Sequence, residues 1–221
     1  MNSHGILKGI INKNTLNIVR EKCLNFLNNN PKINNYTNEI SKYVENIEEL
    51  INPKILKKIE YLIDDSNPKL CAIELHIQKA GCNPIPPHQD NFYHCVPHNK
   101  GIKILIPLKE LNMHNGGLFY SDSNVDFEIL KHSPTKIENF SSFIEDKIFK
   151  DLDLNYTNYT LSEGDAAYHF LNSIHFSKGN KTANDSLFLV FRYQSRNVEI
   201  NELLLLQYQK CYKEHLEMMR N

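Results

Sequence analysis

The sequence has no excess of charge of either sign, because its 221 residues include 25 lysines and arginines and 26 aspartates and glutamates. The formal net charge of -1 at pH 7 gives neither the basic patch of a nucleic-acid-binding protein nor the polybasic surface that binds anionic lipids. Apolar runs such as residues 203–206 are far shorter than the roughly 20 residues of a membrane-spanning helix. We therefore expect no nucleic-acid partner and no membrane segment.

Paired cysteines and a secretory leader are also missing. The five cysteines are odd in number, are scattered along the chain and form no CxxC pair. The first residues contain no positively charged segment followed by a long apolar core, which is the pattern of a signal peptide. These absences predict reduced thiols and a cytoplasmic location.

The length predicts one domain, residues 1–221, made of three consecutive parts. In residues 1–66 the apolar side chains recur at helical intervals, so we expect a mostly helical N-terminal part. Residues 67–197 consist of short segments with a period of two separated by polar turns, which predicts a core of β-strands. The helical period returns in residues 198–221 and predicts a C-terminal helix.

The strand pattern favours a mainly β fold with flanking helices, built on a jelly-roll core. Period-two segments are found at residues 71–78, 102–108, 117–120, 166–171 and 186–194. A polar interval, residues 122–160, interrupts them and is predicted to be an insertion with a helix around residues 140–149. We expect an insertion of this length to shape a binding pocket.

Residues 86–93 carry the most informative motif of the chain. In a strand, positions i and i+2 share a face, so the His88 imidazole and the Asp90 carboxylate can point to a common site. His175, 85 residues beyond Asp90, follows a Gly-Asp turn and lies where an adjacent antiparallel strand can deliver a second imidazole. Two imidazoles and one carboxylate on rigid strands are the facial ligand set of non-haem Fe(II), with open positions left for other ligands.

Several ordered motifs together resemble the phytanoyl-CoA dioxygenase family of Fe(II)- and 2-oxoglutarate-dependent oxygenases. They are residues 87–93 (PHQDNFY), 115–118 (NGGL), 164–180 and 187–194. The resemblance implies a double-stranded β-helix (cupin-like) fold, iron held by His88, Asp90 and His175, and 2-oxoglutarate and O2 as co-substrates. It implies hydroxylation of a small molecule, such as an amino acid or a natural-product intermediate. The resemblance implies that related halogenases have a small residue in place of this aspartate. Asp90 therefore argues against a halogenase.

The chain departs from that family at the residue that holds 2-oxoglutarate. The family places an arginine 11 residues after the distal histidine, and this chain has Ser186 there. Arg192 lies six residues further along the same strand face, roughly 20 Å away, so a structural ion pair is the more ordinary role for it. Lys103 is 15 residues after His88, which resembles the lysine of the Jumonji-type and asparaginyl-hydroxylase branch of the superfamily. We therefore expect Lys103 to bind the distal carboxylate of 2-oxoglutarate. This requires that Ile102, Ile104 and Ile106 pack under the helices, so that Lys103 points into the barrel.

Weaker candidates surround the motif. The resemblance implies that Ser177 assists the 2-oxoglutarate carboxylate and that the Tyr93 hydroxyl reaches the co-substrate, while a core tyrosine is an equal alternative for Tyr93. Asn91 is a candidate contact to substrate or co-substrate, although a turn-stabilising role is commoner. His94 occupies a position where the Jumonji-like branch often has asparagine. The remaining histidines match no motif and are expected to be ordinary core or surface residues.

Two other hypotheses for the function remain open. One is an iron oxygenase that does not use 2-oxoglutarate, since the family's arginine is absent. The other is a jelly-roll module that keeps metal ligands without turnover. Neither the oligomeric state nor the substrate follows from the sequence.

Overall fold

The structure is a computed structural model that describes residues 2–38, 40–122 and 128–220. Its helices are α1 (Lys13–Asn29), α2 (Pro53–Ile63), α3 (Asn91–His94), α4 (Asp146–Asp151) and α5 (Glu202–Arg220). Its strands are β1 (His4–Leu7), β2 (Tyr36–Thr37), β3 (Lys69–Gln78), β4 (Ile85–Gln89), β5 (Gly101–Pro107), β6 (Leu118–Ser121), β7 (His132–Ile137), β8 (Phe140–Ile144), β9 (Tyr156–Asn158), β10 (Ala166–Phe170), β11 (Ile174–Ser177) and β12 (Ser186–Gln194).

Two antiparallel sheets form the core and confirm the predicted mainly β, double-stranded β-helix architecture. The larger sheet has six strands in the order β1-β10-β5-β12-β3-β2, and the smaller has four in the order β4-β11-β6-β9. Neighbours in each sheet come from distant parts of the sequence, as in a jelly roll. The five strands predicted from the period-two pattern all form, within one or two residues of the expected bounds.

Helices α1 and α2 cover the outer face of the larger sheet. The alternation of β5 places Ile102, Ile104 and Ile106 on this face, where all three are fully buried in one apolar cluster with residues of the helices. The opposite face of β5 carries Lys103 and Leu105. The condition set for Lys103 is thus confirmed: the isoleucines pack under the helices, and the lysine turns into the barrel.

The N-terminal part is only partly helical, which corrects the prediction for residues 1–66. Strand β1 pairs with β10 and strand β2 with β3, so this part also extends both edges of the larger sheet. Between β2 and α2 the chain forms two short 3-10 turns in place of a helix. Four-residue and two-residue strands are too short to show a period of two in the sequence, and their pairing partners lie far away in the chain.

The predicted helix around residues 140–149 is also wrong in its first half. Residues 140–144 form β8, which pairs with β7 as a two-stranded hairpin, and a helix begins only at Asp146. Asn139 turns the hairpin in the left-handed region, with a φ of 59°. Residues 123–127 of the expected insertion lie outside the described residues.

The C-terminal helix is present as α5, which packs against α3 and the hairpin. No helix among the described residues is both long and apolar enough to cross a membrane. All five cysteines are free thiols.

Candidate metal centre and anion pocket

The three predicted metal ligands meet at one point between the sheets. His88 on β4 lies directly opposite His175 on β11 in the antiparallel register, and their ring centroids are 4.1 Å apart. Asp90 follows β4 at once, and its carboxylate oxygens lie 4.0 Å from His88 Nε2 and 3.6 Å from His175 Nε2. All three residues are buried, and their ligand atoms lie within 4.8 Å of one another.

Each imidazole is held in the tautomer that a metal ligand needs. The Nδ1–H of His88 donates to the Pro86 carbonyl at 2.9 Å, and the Nδ1–H of His175 donates to the Ser173 carbonyl at 3.0 Å. The Nε2 atom of each ring therefore keeps its lone pair directed at the common site. Two neutral imidazole nitrogens and one carboxylate fit a divalent iron ion in chemistry and in number.

Burial and neighbouring charges keep these groups in their metal-binding states. Burial lowers the pKa of His88 to about 3 and that of His175 to about 4, so both rings are neutral at pH 7. Burial would favour the neutral acid of Asp90, but the Lys103 ammonium and the surrounding histidines hold its pKa well below the usual range. The site therefore presents two lone pairs and one negative charge.

Lys103 lies beside this centre with two carboxylates. Its Nζ donates to Asp90 Oδ1 at 3.0 Å and lies 3.7 Å from Glu74 Oε2. The Lys103 side chain is only 11% exposed and that of Glu74 10%. Desolvation disfavours the ammonium, but Asp90 and Glu74 outweigh it and raise the pKa of Lys103. Glu74 is also 2.8 Å from His76 Nε2, and no sequence motif pointed to it.

His169 touches the metal ligands, although the sequence gave it no motif. Its Nε2–H donates to Asp90 Oδ2 at 3.1 Å, and its ring centroid lies 4.5 Å from that of His175. The pairing of β10 with β5 sets His169 directly opposite Lys103. The two side chains thus hold different oxygens of the Asp90 carboxylate. Its position opposite Lys103 depends on the pairing of two distant strands, so no pattern within β10 alone points to it.

Arg192 also faces the interior, next to Lys103. The register of β5 and β12 pairs these two residues directly. The guanidinium makes one long contact, 3.4 Å from Nη1 to Gln194 Oε1, and its buried Nε has no hydrogen-bond partner. The structural ion pair expected for Arg192 is not found among the described residues. The pKa of His94 is lowered to about 3 by burial and by the charges of Arg192 and Lys103, so His94 is neutral beside them.

The polar atoms of Asn91 and Tyr93 are engaged by the protein itself. Asn91 Nδ2 donates to the Val96 carbonyl at 2.8 Å, and Asn91 Oδ1 accepts from the Val96 amide at 2.9 Å, which closes the turn after α3. The Tyr93 hydroxyl donates to the Ser142 carbonyl of the hairpin at 2.7 Å. The contacts in the structure are thus a turn and a hairpin, and co-substrate contacts for these two residues remain predictions.

Ser177 and Ser186 lie away from the cationic side chains. The Ser177 hydroxyl donates to the Gly116 carbonyl at 3.2 Å and accepts from the Gly179 amide at 3.1 Å, and its contact to a co-substrate remains a prediction. Ser186 begins β12, and the same face of that strand next carries Phe188 and Val190 before Arg192. Phe188 and Val190 belong to a buried apolar cluster that separates Ser186 from the pocket.

The insertion covers the metal ligands from one side. The Phe140 ring meets the His88 ring edge-on, with centroids 4.8 Å apart. Gln89, between the two ligands in sequence, is fully buried, and its Nε2 donates to the Glu128 carbonyl at 3.0 Å. Its Oε1 accepts from the Leu130 amide at 2.8 Å. Gln89 therefore fastens the start of the hairpin segment to the iron motif.

The fold is similar to those of several solved non-haem enzymes. No family model and no curated protein matches the sequence. The solved structure of ThoJ, described as a non-haem monooxygenase, is similar with a TM-score of 0.72 at 14% identity, covering 97% of this chain and 96% of that one. The α-ketoglutarate-dependent carbocyclase SnoK of nogalamycin biosynthesis gives 0.73 at 11% identity, over 90% and 82% of the chains. EctD from S. alaskensis, solved with 2-oxoglutarate and 5-hydroxyectoine, gives 0.71 at 13% identity, over 90% and 75%.

Proposed function

We propose that this protein is an Fe(II)- and 2-oxoglutarate-dependent oxygenase that hydroxylates a small molecule. The observation that carries the proposal is the convergence of His88, Asp90 and His175. Two half-buried cations, Lys103 and Arg192, lie directly opposite each other on neighbouring strands, and Lys103 contacts Asp90. The cations suit the second carboxylate of a 2-oxo diacid. The similar solved structures support the same chemistry, since SnoK is described as α-ketoglutarate-dependent and EctD was solved with 2-oxoglutarate.

The ligand residues would hold iron through His88 Nε2, His175 Nε2 and one Asp90 oxygen. The bound iron and co-substrate would supply oxidation of an unactivated C–H bond by O2, with 2-oxoglutarate converted to succinate and carbon dioxide. Three protein ligands leave coordination positions for exogenous groups. His169 and Lys103 fix the orientation of the carboxylate before any metal arrives, which lowers the cost of assembling the centre.

Water exclusion is the second contribution of the chain. The ligand side chains are no more than 9% exposed, and Phe140 lies against His88 on the side of the hairpin. Apolar cover of this kind keeps water away from the ligand atoms and would limit side reactions with solvent. We propose that the hairpin, with the rest of the insertion, selects the substrate, an amino acid or a natural-product intermediate.

Succinate formation tests the proposal without knowledge of the substrate. Anaerobically purified protein is loaded with Fe(II), mixed with 2-oxoglutarate and then exposed to oxygen, with candidate amino acids and acyl donors added singly. We expect slow succinate formation that needs both iron and oxygen and rises with one of the added compounds. His88→Ala should abolish it, and Gln209→Met, at an exposed position of α5, should leave it unchanged.

Two results would contradict the proposal. A protein that binds one equivalent of iron and consumes oxygen with a substrate, but forms no succinate, would be an oxygenase that does not use 2-oxoglutarate. A protein that binds iron and consumes no oxygen with any compound would be a metal-binding module.

A further inference from the structure

Two cations lie side by side inside the barrel, and among the described residues only one of them has a carboxylate partner. Lys103 Nζ lies 3.0 Å from Asp90 Oδ1 and 3.7 Å from Glu74 Oε2. Arg192, directly opposite Lys103, has no ion pair with a carboxylate of the described residues, and its buried Nε has no partner. Arg192 is half-buried, and a guanidinium whose Nε is shielded from water and has no partner is unfavourable, so this position calls for an anion.

Glu74 accounts for the charge of Lys103. Burial favours the neutral acid of Glu74, yet the charges of Lys103 and His76 lower its pKa to about 2, so it is ionised. Once Asp90 serves as a metal ligand, Glu74 is the carboxylate that remains to neutralise Lys103. Two cations and one fixed anion leave a single positive charge, at Arg192.

The neighbours of Arg192 on β3 and α3 add no negative charge. On the far side of Arg192, β3 presents Ala72, whose methyl group fills little of the interior. His94, whose pKa is lowered by burial and further by the charges of Arg192 and Lys103, stays neutral and adds no charge of its own. The pocket is therefore matched to one carboxylate.

We propose that Arg192 and Glu74 set the charge selectivity of the co-substrate pocket: Glu74 is the fixed counterion of Lys103, and Arg192 binds the distal carboxylate. This inference rests on the proposed function and revises the role of Lys103 from direct anchor to a cation that Glu74 already neutralises. Because only one positive charge is left over, the pocket favours a 2-oxo acid with one distal carboxylate over its uncharged analogue.

Equilibrium binding of two compounds measures the contribution of the distal carboxylate to affinity, without turnover. Co(II)-loaded protein is titrated anaerobically with 2-oxoglutarate and with 2-oxovalerate, which has the same chain length but ends in a methyl group. The ratio of the two dissociation constants measures the preference for the distal carboxylate. We expect wild-type protein to prefer 2-oxoglutarate by about 30-fold or more, as for a desolvated charge pair.

Substitution of Arg192 should remove that preference selectively. In Arg192→Met we expect the preference to fall by about 30-fold while binding of 2-oxovalerate changes less than about twofold. Arg192→Lys keeps the charge without the planar fork and should give an intermediate value. Circular dichroism and the melting temperature establish that each variant is folded.

A charge-pair double variant separates the counterion role of Glu74 from a direct anchor at Lys103. Lys103→Met leaves the Glu74 charge without its cation beside the incoming carboxylate, so the preference should fall by about 10-fold or more. Glu74→Gln combined with Lys103→Met removes both charges and should restore most of the wild-type preference through Arg192. Glu74→Gln alone should increase the preference.

Each failure has a distinct meaning. If the wild-type protein binds neither 2-oxo acid, the proposed function itself is wrong. If it prefers 2-oxoglutarate but Arg192→Met keeps the full preference, the proposed function stands and this inference is overturned. If the double variant stays as weak as Lys103→Met, Lys103 contacts the carboxylate directly and Glu74 is not its counterion.

Discussion

The side chain of Gln89 offers a direct test of how the insertion is attached to the metal motif. Gln89 is fully buried, and its amide makes three hydrogen bonds to backbone groups. Nε2 donates to the carbonyls of Glu128 at 3.0 Å and Asn172 at 2.8 Å, and Oε1 accepts from the Leu130 amide at 2.8 Å. Gln89→Met keeps the length of the side chain and removes all three bonds.

The magnitude follows from the number of bonds lost. Each is worth about 1 kcal/mol of the free energy of unfolding, so the variant should lose about 3 kcal/mol. For a chain of this size, 1 kcal/mol shifts the melting temperature by about 2 to 4 °C, which predicts a decrease of about 6 to 12 °C. The same exchange at Gln209, an exposed residue of α5, should change the free energy of unfolding by less than about 0.5 kcal/mol.

Hydrogen exchange shows which part of the chain loses protection in Gln89→Met. The Leu130 amide is protected by Gln89 Oε1, so peptides containing Leu130 should exchange faster in Gln89→Met, while those from β5 should change far less. A variant whose Leu130 peptides exchange at the wild-type rate, or whose melting temperature falls by less than about 2 °C, would refute this account of the attachment.

Two further predictions concern stability. Burial lowers the pKa of His132 to about 4 from an ordinary value of 6.5, so between these limits the unfolded chain binds a proton that the folded chain does not. The free energy of unfolding should therefore rise from pH 4 to pH 6.5, by about 3 kcal/mol from this residue. Urea titrations should show a smaller rise in His132→Gln. A pH profile identical to that of the wild type would contradict the assignment. Asn52 caps α2 through Oδ1, which accepts from the Lys54 and Ile55 amides at 2.9 and 3.1 Å, and its Nδ2 donates to the Ile10 carbonyl at 2.6 Å. Asn52→Ala should cost about 2 kcal/mol in urea unfolding, whereas a cost below about 0.5 kcal/mol would show that water replaces these bonds.

Local patterns were sufficient to predict that His88 and Asp90 point to one site and which way Lys103 points, whereas His175 was predicted from its position after the Gly-Asp turn and from the family resemblance. His88 and Asp90 are two residues apart on one segment, and the alternation of Ile102, Ile104 and Ile106 determines which way Lys103 points. The period of two is a property of a single strand, so it can be read without knowledge of the partner strands.

The rest of the pocket depends on register between distant strands. Glu74, Arg192 and His169 come from β3, β12 and β10, and nothing within any one of these strands indicates that their side chains meet beside Lys103. The contacts of the Asn91 and Tyr93 side chains could not be predicted from the sequence either. Their residue types suit a ligand contact, but the backbone groups that engage them, such as the Ser142 carbonyl, become neighbours only through the fold.

The histidine ligands are oriented by backbone groups close to them in the chain. His88 and His175 each donate to a carbonyl two residues earlier in the chain, at Pro86 and Ser173, and His132 does the same with Leu130. A three-residue unit of this kind depends on a backbone carbonyl, so side-chain substitutions that keep the local backbone path leave the tautomer intact. The loops around the two ligand strands could therefore be exchanged to change what the protein binds, while the two histidines keep the orientation that a metal ligand needs.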